Sequence, residues 1–174
     1  MGLFTPNDIQ NLKNLYTLQV RYLLSTENQI VGGLKTMIDA AEDTQLKQAF
    51  QSHLQETEAQ ADRIQRILND LQGDADDKKC AVTAALVASG ANIIKESDAG
   101  PVRDAGLIAS AQKIEHFEIA SYGSARDWAN LLGYTEHATL LQKSLDEEKH
   151  ADSLLNGISQ RANQEAGAAV VTTA

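Results

Sequence analysis

The sequence predicts an all-α protein: a four-helix bundle with an additional short helix in the crossover between two helical hairpins. Three observations predict it. Proline occurs only twice and aromatics make up 5% of the 174 residues, while alanine, leucine and glutamine are plentiful, a mixture that favours helix over sheet. Apolar residues recur at helical spacing over long stretches separated by short polar breaks. Two stretches also share one pattern: Glu56 follows Glu27 at an offset of 29 residues, Glu147 follows Glu118 at the same offset, and each span reads helix, turn, helix. When the two are superimposed, Thr44 falls on Thr135 and Leu54 on Leu145. The length and the 43% hydrophobic content suit one domain with a sizeable core.

The elements follow in order. Thr5 and Pro6 are suited to open the first helix, as cap and first-turn proline. Its apolar face carries Ile9, Leu12, Leu15, Tyr16, Leu23, Ile30, Leu34, Met37 and Ile38, and it runs to about Ala41. Gly32-Gly33 inside it predicts a bend or a closely packed neighbour. Glu42-Asp43-Thr44 makes the turn and next cap. The second helix points Leu46, Phe50, Leu54, Ala61, Ile64, Ile67, Leu68 and Leu71 inward. Residues 73–77 are a polar break whose acidic spacing does not suit a calcium loop. A short apolar helix from about Lys78 to Lys95 is the connector, crossing the end of the bundle or lying on its side. A long helix over about Val102 to Leu132 follows the loop 96–101. Gly133-Tyr134-Thr135 then stops it and caps the last helix, about Glu136 to Asn163. The bundle domain is placed at residues 1–164, with a flexible tail over 165–174. A hairpin joins antiparallel neighbours, so the long connection falls between the hairpins, which is the ferritin-like form of the bundle.

The net charge of −9 and pI near 4.8 argue against nucleic acid or an anionic membrane as partner, and favour cations. Solubility is the plain explanation of that charge. The single cysteine, Cys80, allows no intramolecular disulfide and fits a reducing cytosol or a buried thiol. The N-terminus has no basic start, and no stretch approaches a membrane span of about 20 apolar residues, so a cytoplasmic location is expected.

The candidate chemistry lies on the helix faces. Glu27 stands in a stripe with Leu23, Ile30 and Leu34 and points where leucines point. His53 and Glu56 are three apart, and Gln60 shares their face beside Phe50. Glu115, Glu118 and Tyr122 share a face of the fourth helix, where Tyr122 is a core tyrosine or a hydrogen-bonding partner for a ligand. Glu147 and His150 have the carboxylate–imidazole spacing used by di-iron bundles. Glu148 competes with Glu147: the repeat favours Glu147, the stripe of Leu141, Leu145 and Leu155 favours Glu148. Taken singly, each acid has a plain explanation as a solvated edge or a partner of Arg63, Arg66 or Lys113. Taken together, four core-facing carboxylates would have strongly raised pKa values or would unfold the bundle, unless two divalent ions offset their charge. Oxygen-rich ligation with few imidazoles suits iron or manganese. The candidate metal ligands are therefore Glu27, His53, Glu56, Glu115, Glu118, Glu147, Glu148 and His150, and no catalytic residue is assigned.

The segments HLQETEAQADRI, EHFEIASYG and LDEEKHAD, in this order and spacing, resemble the YciF/YciE group of ferritin-like bacterial stress proteins over about residues 5 to 163. The resemblance implies a ferritin-like bundle, a homodimer, a di-metal site and a role in stress response. It places Glu27, His53, Glu56, Glu115, Glu118 and Glu147 or Glu148 on acidic-motif positions. The chain departs from the usual pair of Glu-x-x-His motifs: Ala59 stands where a second histidine would answer His150, and His53 lies on the other side of Glu56. A di-iron or di-manganese oxidoreductase acting on peroxide or dioxygen is the leading expectation, peroxidase- or catalase-like. With no C-x-x-C motif, a peroxidase would draw electrons from a partner protein. The alternatives are non-catalytic iron binding or storage and a metal-free helical module.

Overall fold

Five helices occupy the described residues, 9–72 and 79–169, of this computed structural model: α1 (Leu12–Ala40), α2 (Thr44–Asp70), α3 (Ala81–Glu96), α4 (Pro101–Leu131) and α5 (Thr135–Ala169). No strand occurs among them. The Thr5-Pro6 start and the polar break at 73–77 lie outside the described residues.

Local chemistry sets the helix ends. α1 begins at Leu12 because Asn11 caps it, its side chain accepting the Asn14 amide at 2.9 Å, and Ile9 stays outside the helix and exposed. Asp43 caps α2 through the Leu46 amide at 2.8 Å. The same turn is tied to α4, where buried Asp104 accepts the amides of Glu42 and Asp43 at 3.0 and 2.8 Å. Pro101 opens α4, where its missing N–H costs nothing. Gly133, at φ +79°, stops it, and the Tyr134 amide donates back to the Ala129 carbonyl. α5 runs past the expected end at Asn163, through an alanine-rich stretch on which Arg161 and Glu165 pair at 3.5 Å.

α1 packs on α2 and α4, and α5 packs on the same two helices, so the bundle reads α1, α2, α5, α4 around its axis. α3 lies on the side against α1 and α4. Its close approach explains Gly33, where a Cβ would stand 3.3 Å from Val87 Cγ1. Gly106 serves α4 likewise, since a Cβ there would meet Ile93 Cγ2 at 2.6 Å.

Each bundle helix crosses from one apolar cluster to another. One cluster is built on Ile30, Leu34, Phe50, Leu107, Ile108 and Leu155, the other on Tyr16, Leu23, Ile64, Leu68, Tyr122 and Leu141. The residues between them on every helix are polar, so the bundle holds a polar layer between two greasy ends.

Candidate metal centre

Glu27 from α1, His53, Thr57 and Gln60 from α2, Glu115 and Glu118 from α4, and Glu148 from α5 meet in this layer, each 5% exposed or less. Ligand atoms of His53, Glu115, Glu118 and Glu148 all lie within 4.8 Å of one another. His53 Nε2 is 3.3 Å from Glu115 Oε2 and 3.7 Å from Glu148 Oε2. Its Nδ1 is 3.5 Å from Glu56 Oε2. The Tyr122 hydroxyl donates to Glu27 Oε1, and Gln60 Nε2 donates to Glu148 Oε1. Thr57 turns its hydroxyl to the His53 carbonyl at 2.9 Å.

Seven buried atoms of the layer have no hydrogen-bond partner: Glu27 Oε2, both His53 nitrogens, Gln60 Oε1, Glu115 Oε2, Glu118 Oε1 and Glu148 Oε2. Each such atom costs about 1–3 kcal/mol, more where charged. A layer built for stability alone would not leave them. The titration shifts follow from the same crowding. Burial pushes the Glu27 carboxyl up to about 7, against the opposing bond from Tyr122. Burial, together with neighbouring carboxylates, raises Glu118 and Glu148 well above the usual range. Burial would lower His53, but Glu115, Glu56 and Glu148 outweigh it and hold the imidazole well above its ordinary value. Burial raises Tyr122 too, with the Glu27 carboxylate adding to it.

The structure thus brings together five of the expected ligands: Glu27, His53, Glu115, Glu118 and Glu148. Glu115 and Glu118 do not compete, since one helical turn puts both in the layer. Glu56 stands at the rim, its side chain 34% exposed, and the nearby His53 imidazole lowers its pKa. Glu147 points away from the cluster. Arg63 Nη2 donates to its two oxygens at 2.9 and 2.6 Å, and Gln60 donates to Oε2 at 3.2 Å. His150 is exposed. Glu56 and Glu147, equivalent in the repeat, are both shoulder positions, and the inward ones are the next residues, Thr57 and Glu148. The leucine stripe around Glu148 was the better signal. Thr57 and Ser144, which accepts from Arg63 Nη1 at 2.6 Å, were not singled out in the sequence.

One imidazole among four carboxylates is a donor set for iron or manganese, and the orphaned atoms converging there fit such an ion. A cavity of about 50 Å³, lined by Phe50, His53, Glu56, Glu115, His150 and Leu154 among others, leads to the layer. A water needs about 10–15 Å³ on this measure, so the cavity admits a molecule of the size of water or peroxide. A larger, mainly apolar cavity of about 250 Å³ between α1, α3 and α4 also has Glu115 in its lining.

A buried carboxylate–imidazole layer in a four-helix bundle, with its crossover helix laid on the side, defines a ferritin-like bundle protein. The chain belongs to the family described as "Domain of unknown function (DUF892)", which matches residues 11–167. It is 34% identical to Protein YciF of Escherichia coli (strain K12) over 168 residues, covering 90% of this chain and 99% of that protein. The crystal structure of the E. coli stress protein YciF superimposes with a TM-score of 0.86 at 32% identity, covering 90% of this chain and 99% of that one. YcfI from Rhodopseudomonas palustris superimposes at 0.83 with 33% identity, covering 88% and 98%. Among the described residues no helix is long and apolar enough to cross a membrane.

Proposed function

We propose that the chain is a carboxylate-bound iron or manganese protein that loads two ions in the polar layer and reacts with peroxide or dioxygen in a bacterial stress response. The observation that carries this is the convergence of three buried carboxylates and one imidazole beside buried Glu27, with seven atoms lacking hydrogen-bond partners, at the end of a cavity sized for a small oxygen species. Bound iron or manganese supplies a redox couple able to cleave an O–O bond. Glu27, His53, Glu115, Glu118 and Glu148 hold the ions. Tyr122 and Gln60 fix the orientation of Glu27 and Glu148. The two apolar clusters keep bulk water from the ends of the layer, and Glu56 and His150 at the mouth pass protons. Reducing one peroxide to two waters takes two electrons and two protons. A second peroxide supplies both in a catalase-like cycle; a separate reductant supplies them in a peroxidase-like one. The lone cysteine, Cys80, is buried and provides no dithiol for the second route. The stress element rests on the description of the E. coli relative as a stress protein. A cytoplasmic homodimer belongs to the same proposal. The support for the dimer is α3, an apolar helix of which only Thr83 and Gly90 are buried in the single chain; sedimentation tests the dimer.

The test is to load metal-free protein with Fe(II) or Mn(II), assay bound metal, and follow peroxide consumption beside the Glu118→Gln variant. The expected outcome is tight loading and peroxide loss that the variant lacks. Bound metal without turnover would leave iron storage as the function, and no bound metal would overturn the proposal.

A further inference from the structure

The larger cavity between α1, α3 and α4 runs from the surface to the polar layer. Gly32, Thr36 and Ala91 line its outer end and are exposed, while Ile30, Leu34, Met37, Ala111 and Ile114 line its inner part and are buried. Gly32 keeps the outer end clear, since a Cβ there would meet no atom within 4 Å. Three polar side chains join this lining, and two of them are already engaged. Gln29 Nε2 donates to Ser25 Oγ and to the Cys80 carbonyl, both at 3.1 Å, and the Thr36 hydroxyl donates to the Gly32 carbonyl at 3.2 Å. Glu115 differs: it is 2% exposed, and its Oε2 has no hydrogen-bond partner among the described residues. Glu115 also lines the small cavity beside Glu56 and His150, so the two spaces meet at this one carboxylate.

We infer that the cavity binds one neutral organic molecule, an alkyl chain whose terminal O–H group donates to Glu115. Volume sets the size: a dry apolar cavity of about 150 Å³ takes benzene, so about 250 Å³ takes a chain of about ten heavy atoms. Charge sets the head group. An anionic end is excluded, because Glu118 and Glu148 place ligand atoms within 4.8 Å of that of Glu115, and a further buried negative charge beside them is costly. A cationic end is not called for, because His53 Nε2 already stands 3.3 Å from Glu115 Oε2. A neutral O–H is left, supplying the hydrogen that the buried oxygen lacks. Alkyl alcohols and alkyl hydroperoxides share this chemistry. The site needs no bound metal, so its failure and the failure of the metal reading are separate results.

Met37 is a built-in reporter, since it lines the cavity and Met1 is the only other methionine. The experiment takes the metal-free full chain, in chelator and isotopically labelled at its methionine methyls. It is titrated with n-nonanol and with methyl octyl ether, an isomer that has no O–H, and followed by NMR. Nonanol is expected to move the Met37 methyl resonance, to saturate at one equivalent, and to bind about 10-fold more tightly than the ether, the worth of one hydrogen bond. Gly32→Leu at the outer end and Ala111→Leu at the inner end should each weaken nonanol by at least ~10-fold by filling the space. Gly32→Leu replaces an exposed helical glycine, so it keeps the fold. Glu115→Met should erase the preference for alcohol over ether while both still bind. Octyl hydroperoxide, titrated in the same way, separates the two sources: binding admits hydroperoxides, rejection confines the ligand to alcohols, and either supports the site. Three results would each overturn the inference: equal affinity for alcohol and ether, binding that both leucine variants leave unchanged, or a Met37 resonance that moves only with protein concentration, as when a second copy covers the cavity.

Discussion

α2 and α5 carry two adjoining polar layers, joined by Gln60, which donates to both Glu147 and Glu148, and they are built on opposite rules. In one, Arg63 is 8% exposed and saturated: Nη1 meets Ser144, and Nη2 meets both oxygens of Glu147. In the other, His53 and Glu148 are as deeply buried, yet both His53 nitrogens and Glu148 Oε2 lack partners. A third group, at the far end of the core, pairs its buried hydroxyl. Tyr16 Oη lies 3.1 Å from His137 Nδ1, His137 Nε2 lies 3.5 Å from Asp70, and Tyr134 stacks on both rings. The chain can satisfy buried polar groups, and seven of the eight buried side-chain atoms that lack a hydrogen-bond partner among the described residues lie in one layer, Arg21 Nε being the other. The difference separates side chains that hold the bundle together from side chains held ready for something else.

The largest expected effect is on the response to pH. Glu27, Glu118, Glu148 and His53 all have folded pKa values above their ordinary ones, so the folded state retains protons that the unfolded chain has lost. Stability of the metal-free protein therefore falls as pH rises above about 4.5, the usual value for a glutamate. For Glu27, whose folded value is about 7, the loss amounts to about 3 kcal/mol once pH is well above 7. With metal present the slope reverses, because the ion needs deprotonated ligands. Urea melts between pH 5 and 8, with chelator and with Mn(II), check both slopes; parallel curves would erase the distinction between the layers.

Next comes ligand removal. Glu118→Gln and Glu148→Gln should each weaken metal binding by about 100-fold, or about 2.7 kcal/mol, without destabilising the metal-free fold. Arg63→Ala should do the opposite, leaving metal affinity nearly intact while costing about 2 kcal/mol in a urea melt. That is below the usual cost of breaking a buried pair because Glu147 keeps a fifth of its side chain in water. The smallest effect is that of Tyr16→Phe, which should cost about 1 kcal/mol by stranding His137 Nδ1, with metal binding unchanged in equilibrium dialysis.

Much of this was legible in the chain. All five helices follow from apolar periodicity and turn residues, and the errors at Leu12 and Ala169 come from a cap, Asn11, and from an alanine-rich end that continues the helix. Glu27 was visible because it sits in a leucine stripe, His53 because it shares a face with Glu56 beside Phe50, Glu118 because the repeat pairs it with Glu27, and Glu115 because it shares the Glu118 face. The choice between Glu147 and Glu148 turned on one residue of helical rotation, about 100°, which an offset between repeats cannot resolve. What settles it is Arg63 on another helix, drawing Glu147 away. Thr57 was illegible because its hydroxyl serves its own helix backbone, and only its position opposite Glu148 shows that the repeat has been broken there.

The most direct test of a layer reserved for metal is a crystal of the protein grown with Mn(II), measured for anomalous scattering. The account predicts a peak within bonding distance of His53, Glu115, Glu118 and Glu148, with Glu147 still on Arg63. Ordered waters pairing the seven orphaned atoms, with no anomalous peak among them, would contradict it.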